Sequence, residues 1–500
     1  MNAMKGLLLG TAAGLVAMSS AQAADLPVKA KPVEYVKVCS LYGAGFFYVP
    51  GTDTCLKIGM YLRSDHGYGQ GGNVNGVYQS AAIGTRNGQD MYSYRARINL
   101  TTDWRTQSDY GVIRAYAAII AQQGTGDVNF IGGATSTGNA GILRAFIQFA
   151  GFTFGHAVSY FDFFNGADYG YMASINGSTG VNGIDLIAYT WQLGNGVSIS
   201  VDLEDGGTGA TGARTKNVVN ASLAAQLGTT AAGNTITSSA ERAWSPDIAG
   251  NIRIDQAWGS AQISGALHNA SGGYYAGTGT TNPATTTQVT TNGHPGDVWG
   301  WAISGGFRLQ NFLMPKDRIE MAYTYAKGAA GYTAGLPAVF AYGGGNSVAQ
   351  AYVVDGVYTT GNSIELTETW KFELGYEHFW NAQWRTSIYA QWTGASYNNT
   401  ARSYLCGTGT NSVGATLYGT TTALSNCSPN SSQNALTTRT AWNPHPSLEI
   451  GLDLIWWHQN TANAGTATLL ANGARPAGTY VIEDQDKYAA VLRVQKTILP

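Results

Sequence analysis

Charged side chains are scarce in this sequence, since Asp, Glu, Lys and Arg make up 12% of its 500 residues. Soluble proteins carry about 25%. The 28 basic and 30 acidic residues leave a formal net charge of −2, and this balance argues against a nucleic-acid partner, which would need a basic patch. The seven histidines are scattered, and neither a metal-ligand spacing nor a familiar catalytic signature occurs. We therefore expect no enzyme, no metal site and no cofactor.

Long apolar runs are also missing. The run over residues 7–18 is too short to span a bilayer; with Lys5 before it and the A-x-A site Ala21-Gln22-Ala23 behind it, it is typical of a secretory signal. We predict a signal peptide over residues 1–23, cleaved near Ala23, and one domain over residues 24–500. No later run reaches the roughly 20 apolar residues of a membrane helix. The remaining choices are a closed membrane β-barrel and a soluble secreted β-protein.

Strand-like alternation is what the sequence does have. Residues 92–101, 197–204 and 448–456 each place apolar side chains on one strand face and mostly polar ones on the other. About sixteen such segments of roughly ten residues follow one another, which is the length of a tilted transmembrane strand. Tryptophans near predicted strand ends are expected to form interfacial girdles. These are Trp299, Trp301, Trp370, Trp380, Trp384, Trp442, Trp456 and Trp457.

The connections between these segments alternate between short and long. The short ones are Trp104–Tyr110, Ala150–Phe152, Leu193–Gly196, Trp258–Ser260, Asn311–Lys316, Trp380–Gln383 and Asn443–Pro446. The long polar ones cover about residues 65–89, 124–139, 161–183, 206–246, 270–297, 328–364, 396–433 and 460–483. Short periplasmic turns and long external loops are typical of outer-membrane barrels. The fold class predicted is therefore all-β, a 16-stranded antiparallel transmembrane β-barrel.

A barrel of this size encloses an aqueous lumen. The alternation places five arginines on lumen-facing positions of four neighbouring strands: Arg63, Arg95, Arg97, Arg114 and Arg144. On the lipid face each would cost about 2–4 kcal/mol at the midplane, so we expect them to line the pore. The alternative is that they only solvate the interior and pair with Asp or Glu. Acidic and basic positions elsewhere leave the choice between cation and anion selectivity open.

Four cysteines in an exported chain indicate disulfide bonds. Three pairings are possible. The local pairing, Cys39 with Cys55 and Cys406 with Cys427, is favoured because each bond closes a short loop, a closure that contributes about 3 kcal/mol.

The segment Tyr35–Arg63 (YVKVCSLYGAGFFYVPGTDTCLKIGMYLR) resembles the N-terminus of the alphaproteobacterial outer-membrane porins of rhizobia and Brucella-like bacteria. Residues 144–160, 443–453 and 484–497 resemble the same family. The resemblance implies a homotrimer in the bacterial outer membrane, in contact with lipid and lipopolysaccharide. It implies a passive, water-filled diffusion pore for small hydrophilic solutes and ions.

The resemblance also implies a constriction in that pore. Loop 3, which begins at Phe161, is expected to fold into the lumen and to bring Asp162 and Asp168 opposite the arginine wall. The alternative is that this loop caps the barrel from outside. His156 stands where a basic constriction residue is expected. The last strand is predicted over Tyr488–Ile498, with Ile498 at the usual position of a terminal aromatic residue.

Three other functions compete with the diffusion pore. An adhesin or phage-type receptor would use the long loops as its working surface and the barrel as an anchor. A substrate-specific sugar channel would need a ladder of lumen aromatics, and Tyr61, Tyr116 and Tyr389 are too scattered to predict one. An outer-membrane hydrolase would have to assemble its catalytic residues from distant strands.

Overall fold

The computed structural model describes most of the chain. The described residues are 38–69, 92–124, 139–164, 166–171, 178–180, 183–206, 214, 217–222, 245–275, 293–333, 338–341, 345–406, 421–469 and 476–499. The predicted signal peptide over residues 1–23 lies outside them.

Sixteen strands form a closed antiparallel barrel. In chain order they are β1 (Cys55–Gly69), β2 (Tyr92–Ser108), β3 (Gly111–Gly124), β4 (Asn139–Phe149), β5 (Phe152–Ala157), β6 (Ile184–Gly194), β7 (Val197–Glu204), β8 (Asp247–Gln256), β9 (Gly259–Ala270), β10 (Val298–Gln310), β11 (Arg318–Lys327), β12 (Glu368–Phe379), β13 (Trp384–Ser396), β14 (Ser431–His445), β15 (Leu448–Asn460) and β16 (Gln485–Leu499). Each strand pairs with its neighbour in the chain, and β1 pairs with β16 to close the barrel. The predicted fold class is confirmed.

Side-chain exposure alternates along these strands as the sequence predicts. On β2, Tyr94, Ile98 and Leu100 are exposed, whereas Arg95 and Arg97 between them are buried. We call the face with exposed apolar side chains the outer face and the opposite one the inner face. Because a lipid-facing surface must be apolar, this division is what a transmembrane barrel requires.

The strands are longer at some ends than predicted. β1 continues to Gly69, although the sequence predicts a loop from residue 65 onward, and β16 runs from Gln485 to Leu499 rather than from Tyr488 to Ile498. The alternation persists there: Asp65 is buried and Tyr68 is exposed. Polar character had suggested a loop, but a strand that rises beyond the apolar belt keeps its ladder of hydrogen bonds.

The long loops carry structure of their own. A five-stranded sheet joins Ala338–Ala341, Ser347–Tyr352, Thr421–Asn426, Ala464–Leu469 and Gly478–Ile482, and a three-stranded sheet joins Val218–Asn220, Gly356–Tyr358 and Glu365–Leu366. A strand of two residues, Phe47–Tyr48, pairs with β1. Helix α1 (Asn399–Cys406) lies between β13 and β14. Among the described residues, no helix is long and apolar enough to cross a membrane.

Both predicted disulfide bonds are present. Cys39–Cys55 ties the segment before the barrel to the start of β1, and Cys406–Cys427 ties the end of α1 to the segment before β14.

The tryptophan prediction holds at both ends of the barrel but not for every residue. Trp299 and Trp301 are exposed near one rim, and Trp384 and Trp442 stack at 5.7 Å between ring centroids near the other. The prediction of a girdle position is wrong for Trp457, because its side chain is buried on the inner face beside Ala349 and Ala351.

Candidate functional site

Two arginines surround Asp65 where β16, β1 and β2 lie side by side. Arg95 donates from Nε and Nη2 to Asp65 Oδ2, at 3.0 and 2.6 Å. Arg493 donates from Nε to Oδ1 of the same carboxylate at 2.6 Å. All three side chains are buried, so the shared carboxylate compensates charges whose isolation would be costly. Asp65 and Arg493 were not among the predicted site residues.

Two further arginines of the predicted arginine wall donate to side-chain amide oxygens of glutamines. Arg97 donates from Nε and Nη2 to Gln122 Oε1 on β3, at 2.8 and 2.5 Å. Arg63 donates from Nε to Gln495 Oε1 on β16 at 2.8 Å. An amide oxygen orients a guanidinium group but leaves its charge in place.

The remaining predicted arginines lie on β3 and β4. Arg114 donates from Nε and Nη2 to the two oxygens of Asp103, each at 3.0 Å, and Arg105 shares that carboxylate. Arg144 donates from Nη2 to the carbonyl oxygen of Gly180 in the loop between β5 and β6, at 2.5 Å. Arg95 and Arg114 therefore pair with carboxylates, as the alternative interpretation allowed.

His156 differs from its expected position. It shares the register of Phe152 and Phe154, whose side chains are exposed on the outer face of β5. Its Nδ1 lies 2.7 Å from a carboxylate oxygen of Asp185, its partner on β6. The register therefore places His156 on the outer face of β5 and not in the predicted pore lining.

Loop 3, predicted to begin at Phe161, covers residues 158–183 between β5 and β6, and Asp162 fixes its first part. Oδ2 of Asp162 accepts hydrogen bonds from the amide and the hydroxyl of Thr179, both at 2.6 Å. Oδ1 accepts a hydrogen bond from Nη2 of Arg214 at 2.8 Å. Asp162 therefore binds the loop between β7 and β8, which carries Arg214, and of the predicted arginines Arg144 lies near enough to interact with its charge.

Arg214 is fully buried and joins three loops. Besides Asp162 it donates to the carbonyl oxygen of Gly331, and its guanidinium lies 3.9 Å from the ring centroid of Tyr332. Its Nε lies 3.6 Å from Glu204 on β7. Burial alone would lower the pKa of Arg214, but the carboxylates of Asp162 and Glu204 raise it above its ordinary value. Sequence reasoning did not identify this residue.

The middle of loop 3 contacts strands far along the chain. The carbonyl oxygen of Asp168 accepts from Nη2 of Arg439 on β14 at 2.7 Å, and its carboxylate lies 3.4 Å from Nη2 of Arg308 on β10. The hydroxyl of Tyr169 donates to Glu320 on β11 at 3.0 Å. Burial and the charge of Glu320 raise the pKa of Tyr169, so this hydroxyl stays protonated and donates.

Tyr171 contacts the last two strands of the barrel, β15 and β16. Its amide donates to Asp453 on β15 at 2.5 Å, and its hydroxyl donates to Glu449 on the same strand at 2.6 Å. Its ring centroid lies 4.2 Å from the guanidinium carbon of Arg493 on β16. Tyr171 thus touches one of the two arginines that share Asp65.

Glycines on three strands make room for the aromatic side chains of this loop. A β-carbon at Gly306 on β10 would lie 2.7 Å from the ring of Phe163, and one at Gly375 on β12 would lie 2.6 Å from the ring of Tyr169. A β-carbon at Gly451 on β15 would overlap the hydroxyl of Tyr171. Glycine within a strand often marks such a close approach, and this signal was available in the sequence.

Comparison with solved structures shows the same fold. The outer membrane channel DcaP of Acinetobacter baumannii superposes with a TM-score of 0.54 and 13% sequence identity, covering 90% of this chain and 99% of that chain. At this identity the similarity concerns the fold alone.

Comparison with known sequences shows the family. Porin Omp2b of Brucella abortus (strain 2308) is 33% identical over 269 residues, 51% of this chain and 64% of that protein. Porin Omp2b of Brucella suis biovar 1 is 38% identical over 213 residues, 41% of this chain and 54% of that protein. The matches therefore span less than two thirds of these relatives. A family model described as "Porin subfamily" matches residues 25–491, and the chain belongs to this porin subfamily.

Proposed function

We propose that this protein is a passive, water-filled diffusion pore of the bacterial outer membrane, open to small hydrophilic solutes and ions. The observation that carries this proposal is the course of loop 3. It leaves β5 and contacts inner-face residues as far away as Glu320 on β11 and Asp453 on β15. A loop with such partners narrows the lumen without filling it.

The passage lies between loop 3 and the arginine wall. Loop 3 rests on β10–β15 through Asp168, Tyr169 and Tyr171, and it meets one edge of the arginine wall where the ring of Tyr171 contacts Arg493. Across the remaining opening stand Arg63, Arg95, Arg97 and Arg114, all with the inner register, while Arg144 is in contact with loop 3 through Gly180. A narrow wet slot lined by guanidinium groups orients dipolar solutes and disfavours apolar solutes of the same size, because the latter gain nothing from the field. Transport of this kind needs no catalytic group, so the protein is not an enzyme.

The proposal includes a homotrimer surrounded by outer-membrane lipid and lipopolysaccharide. The outer face of the first strands is apolar: Leu56, Ile58, Met60, Leu62, Ala115, Ala117 and Ile119 share it. His156 and Asp185 lie on the outer face of β5 and β6. This pair lies at the ends of β5 and β6 next to loop 3, where a polar group costs little because the cost falls toward the membrane interface, so the apolar residues of the first strands carry the argument for subunit contact.

Planar-bilayer recording of the purified protein tests this function. The expected record shows stable openings, with closure of each trimer in three equal steps. Protein that is folded and inserted but never conducts would contradict the pore and would favour the adhesin, whose barrel is only an anchor. A single closing step would contradict the trimer alone.

A further inference from the structure

The inner face carries an excess of positive charge on one side of the barrel. Among the described residues of β16 and β1–β4, seven arginines have the inner register but only two carboxylates do. The arginines are Arg63, Arg95, Arg97, Arg105, Arg114, Arg144 and Arg493; the carboxylates are Asp65 and Asp103. Each of the two carboxylates is shared by two arginines. The other contacts described above, to Gln122, Gln495 and the carbonyl of Gly180, orient guanidinium groups without neutralising them.

The inner face on the side where loop 3 rests is balanced instead. On β10–β15 the basic side chains are Arg308, Arg318, Lys371, Arg385 and Arg439, and the acidic ones are Glu320, Glu373, Glu377, Glu449 and Asp453. Each of these basic groups forms an ion pair with one of these acids. Loop 3 covers this half through Tyr169 and Tyr171, whose hydroxyls donate to Glu320 and Glu449.

The acidic group on β7–β9 does not offset the arginines. Asp202, Glu204 and Asp247 are each at most 1% exposed. Arg214 lies beside Glu204, and His268 contacts Asp247 at 2.8 Å. The start of loop 3 lies against this group, because the amide of Tyr160 donates to Asp202. The acid of these strands nearest to solvent, Asp255, is paired with Arg253.

The carboxylates of loop 3 form their ion pairs with arginines outside the wall, although Asp162 also lies near enough to Arg144 to interact with its charge. Asp162 binds Arg214, and Asp168 lies beside Arg308. Loop carboxylates that faced the wall would have balanced the positive charge of its arginines across the passage. Here the ions that pass between loop 3 and the wall meet a net positive field.

We infer that the pore prefers small anions to cations of similar size. The inference rests on the proposed function, because selectivity presupposes a conducting lumen. Rings and walls of one charge sign set the selectivity of narrow aqueous pores, and a cleft lined by low-dielectric protein focuses that field.

The test is the reversal potential of the purified trimer in a tenfold KCl gradient at low ionic strength, where screening is weakest. The reversal potential of the wild-type pore should be shifted from zero toward the equilibrium potential of chloride. The variant Arg63→Gln/Arg97→Gln should lower the chloride-to-potassium permeability ratio by about sixfold for each charge removed, because a charge about 8 Å from the ion path in water favours chloride and disfavours potassium by about 2.4-fold each. The control Arg402→Gln removes a charge from helix α1, where Arg402 donates to the carbonyl of Cys427, and should match wild type.

The outcomes separate the two proposals. A conducting pore that reverses near zero or on the potassium side overturns the anion preference and leaves the diffusion pore intact. The preference is also overturned if the double variant and the control shift the ratio equally, because the wall then contributes nothing particular. Protein that never conducts overturns the proposed function, and the selectivity with it.

Discussion

A single methyl group at Gly451 tests how loop 3 packs on β15 through Tyr171. In Gly451→Ala the new carbon would overlap the hydroxyl of Tyr171 and would lie 2.8 Å from its Cζ. The ring must therefore move, and its hydrogen bond to Glu449, now 2.6 Å long, is lost.

The size of the effect follows from the contacts that break. A hydrogen bond to a charged acceptor contributes about 1.5–3 kcal/mol, and the contact between Arg493 and the ring adds about 0.5–1 kcal/mol. The substitution should destabilise the packing of loop 3 on β15 and β16 by about 2–4 kcal/mol. Tyr171→Phe, which removes the hydroxyl but fits the same space, should lose the hydrogen-bond part only.

Gly305→Ala is the matched control, because Gly305 lies on β10 and a β-carbon there meets nothing within 4 Å. The assays are single-channel conductance and the temperature at which the folded barrel is lost in detergent. Gly451→Ala should melt earlier and should show altered, fluctuating openings, whereas Gly305→Ala should match wild type. Identical conductance and melting of the two alanine variants would refute the contact of Tyr171 with β15.

Three further predictions concern other parts of the molecule. Arg214→Gln removes the cation beside the fully buried carboxylate of Glu204 and should lower the free energy of unfolding by about 3–5 kcal/mol, measured by denaturant unfolding in detergent. Burial works to raise the pKa of Asp317, but hydrogen bonds from two side chains and a backbone amide of β12 hold it below its ordinary value. The ionised carboxylate therefore stabilises the turn above about pH 4, and Asp317→Asn should melt earlier than wild type at pH 7 but not at a pH below the folded pKa of Asp317. Replacing Cys406 and Cys427 by serine removes a closure that contributes about 3 kcal/mol and should speed proteolysis of the loop around α1 while the barrel melts unchanged.

Each of these has a result that would contradict it. For Arg214, an unchanged unfolding free energy would show that its carboxylate partners do not depend on it. For Asp317, a difference in melting that persists at low pH would point to packing and not to ionisation. For the disulfide, unchanged proteolysis around α1 would show that the bond does not hold this loop.

The barrel could be predicted from the sequence because its signals are local. The two-residue alternation over Tyr92–Thr101 assigns Arg95 and Arg97 to the inner face without knowledge of any other strand. The alternation of short turns with long loops then fixes the number of strands. Boundaries were less accurate, as at Gly69, because a polar strand end resembles a loop until its partner is known.

The contacts of loop 3 could not be predicted because their partners are distant in the chain. Tyr171 and Asp453 are 282 residues apart, and Asp168 and Arg308 are 140 apart. Nothing local marks Arg214 as the partner of Asp162. The glycines were the one available signal, since Gly451 interrupts an otherwise regular strand.

His156 illustrates the limit of reasoning by resemblance. Its assignment to the pore rested on similarity to a family and not on alternation. Alternation alone groups it with Phe152 and Phe154 on the outer face. The local pattern was the better guide here, because a strand cannot turn one side chain inward without a change of register.

We propose that the arginine wall borders a water-filled passage, and two neighbouring residues of β2 provide the most direct test. All four cysteines are paired, so a single cysteine can be introduced at Arg97, on the inner face, or at Ile98, on the outer face. A charged, membrane-impermeant thiol reagent should reduce the single-channel conductance of Arg97→Cys and leave that of Ile98→Cys unchanged. Equal conductance of Arg97→Cys before and after complete labelling, verified by mass, would contradict the account.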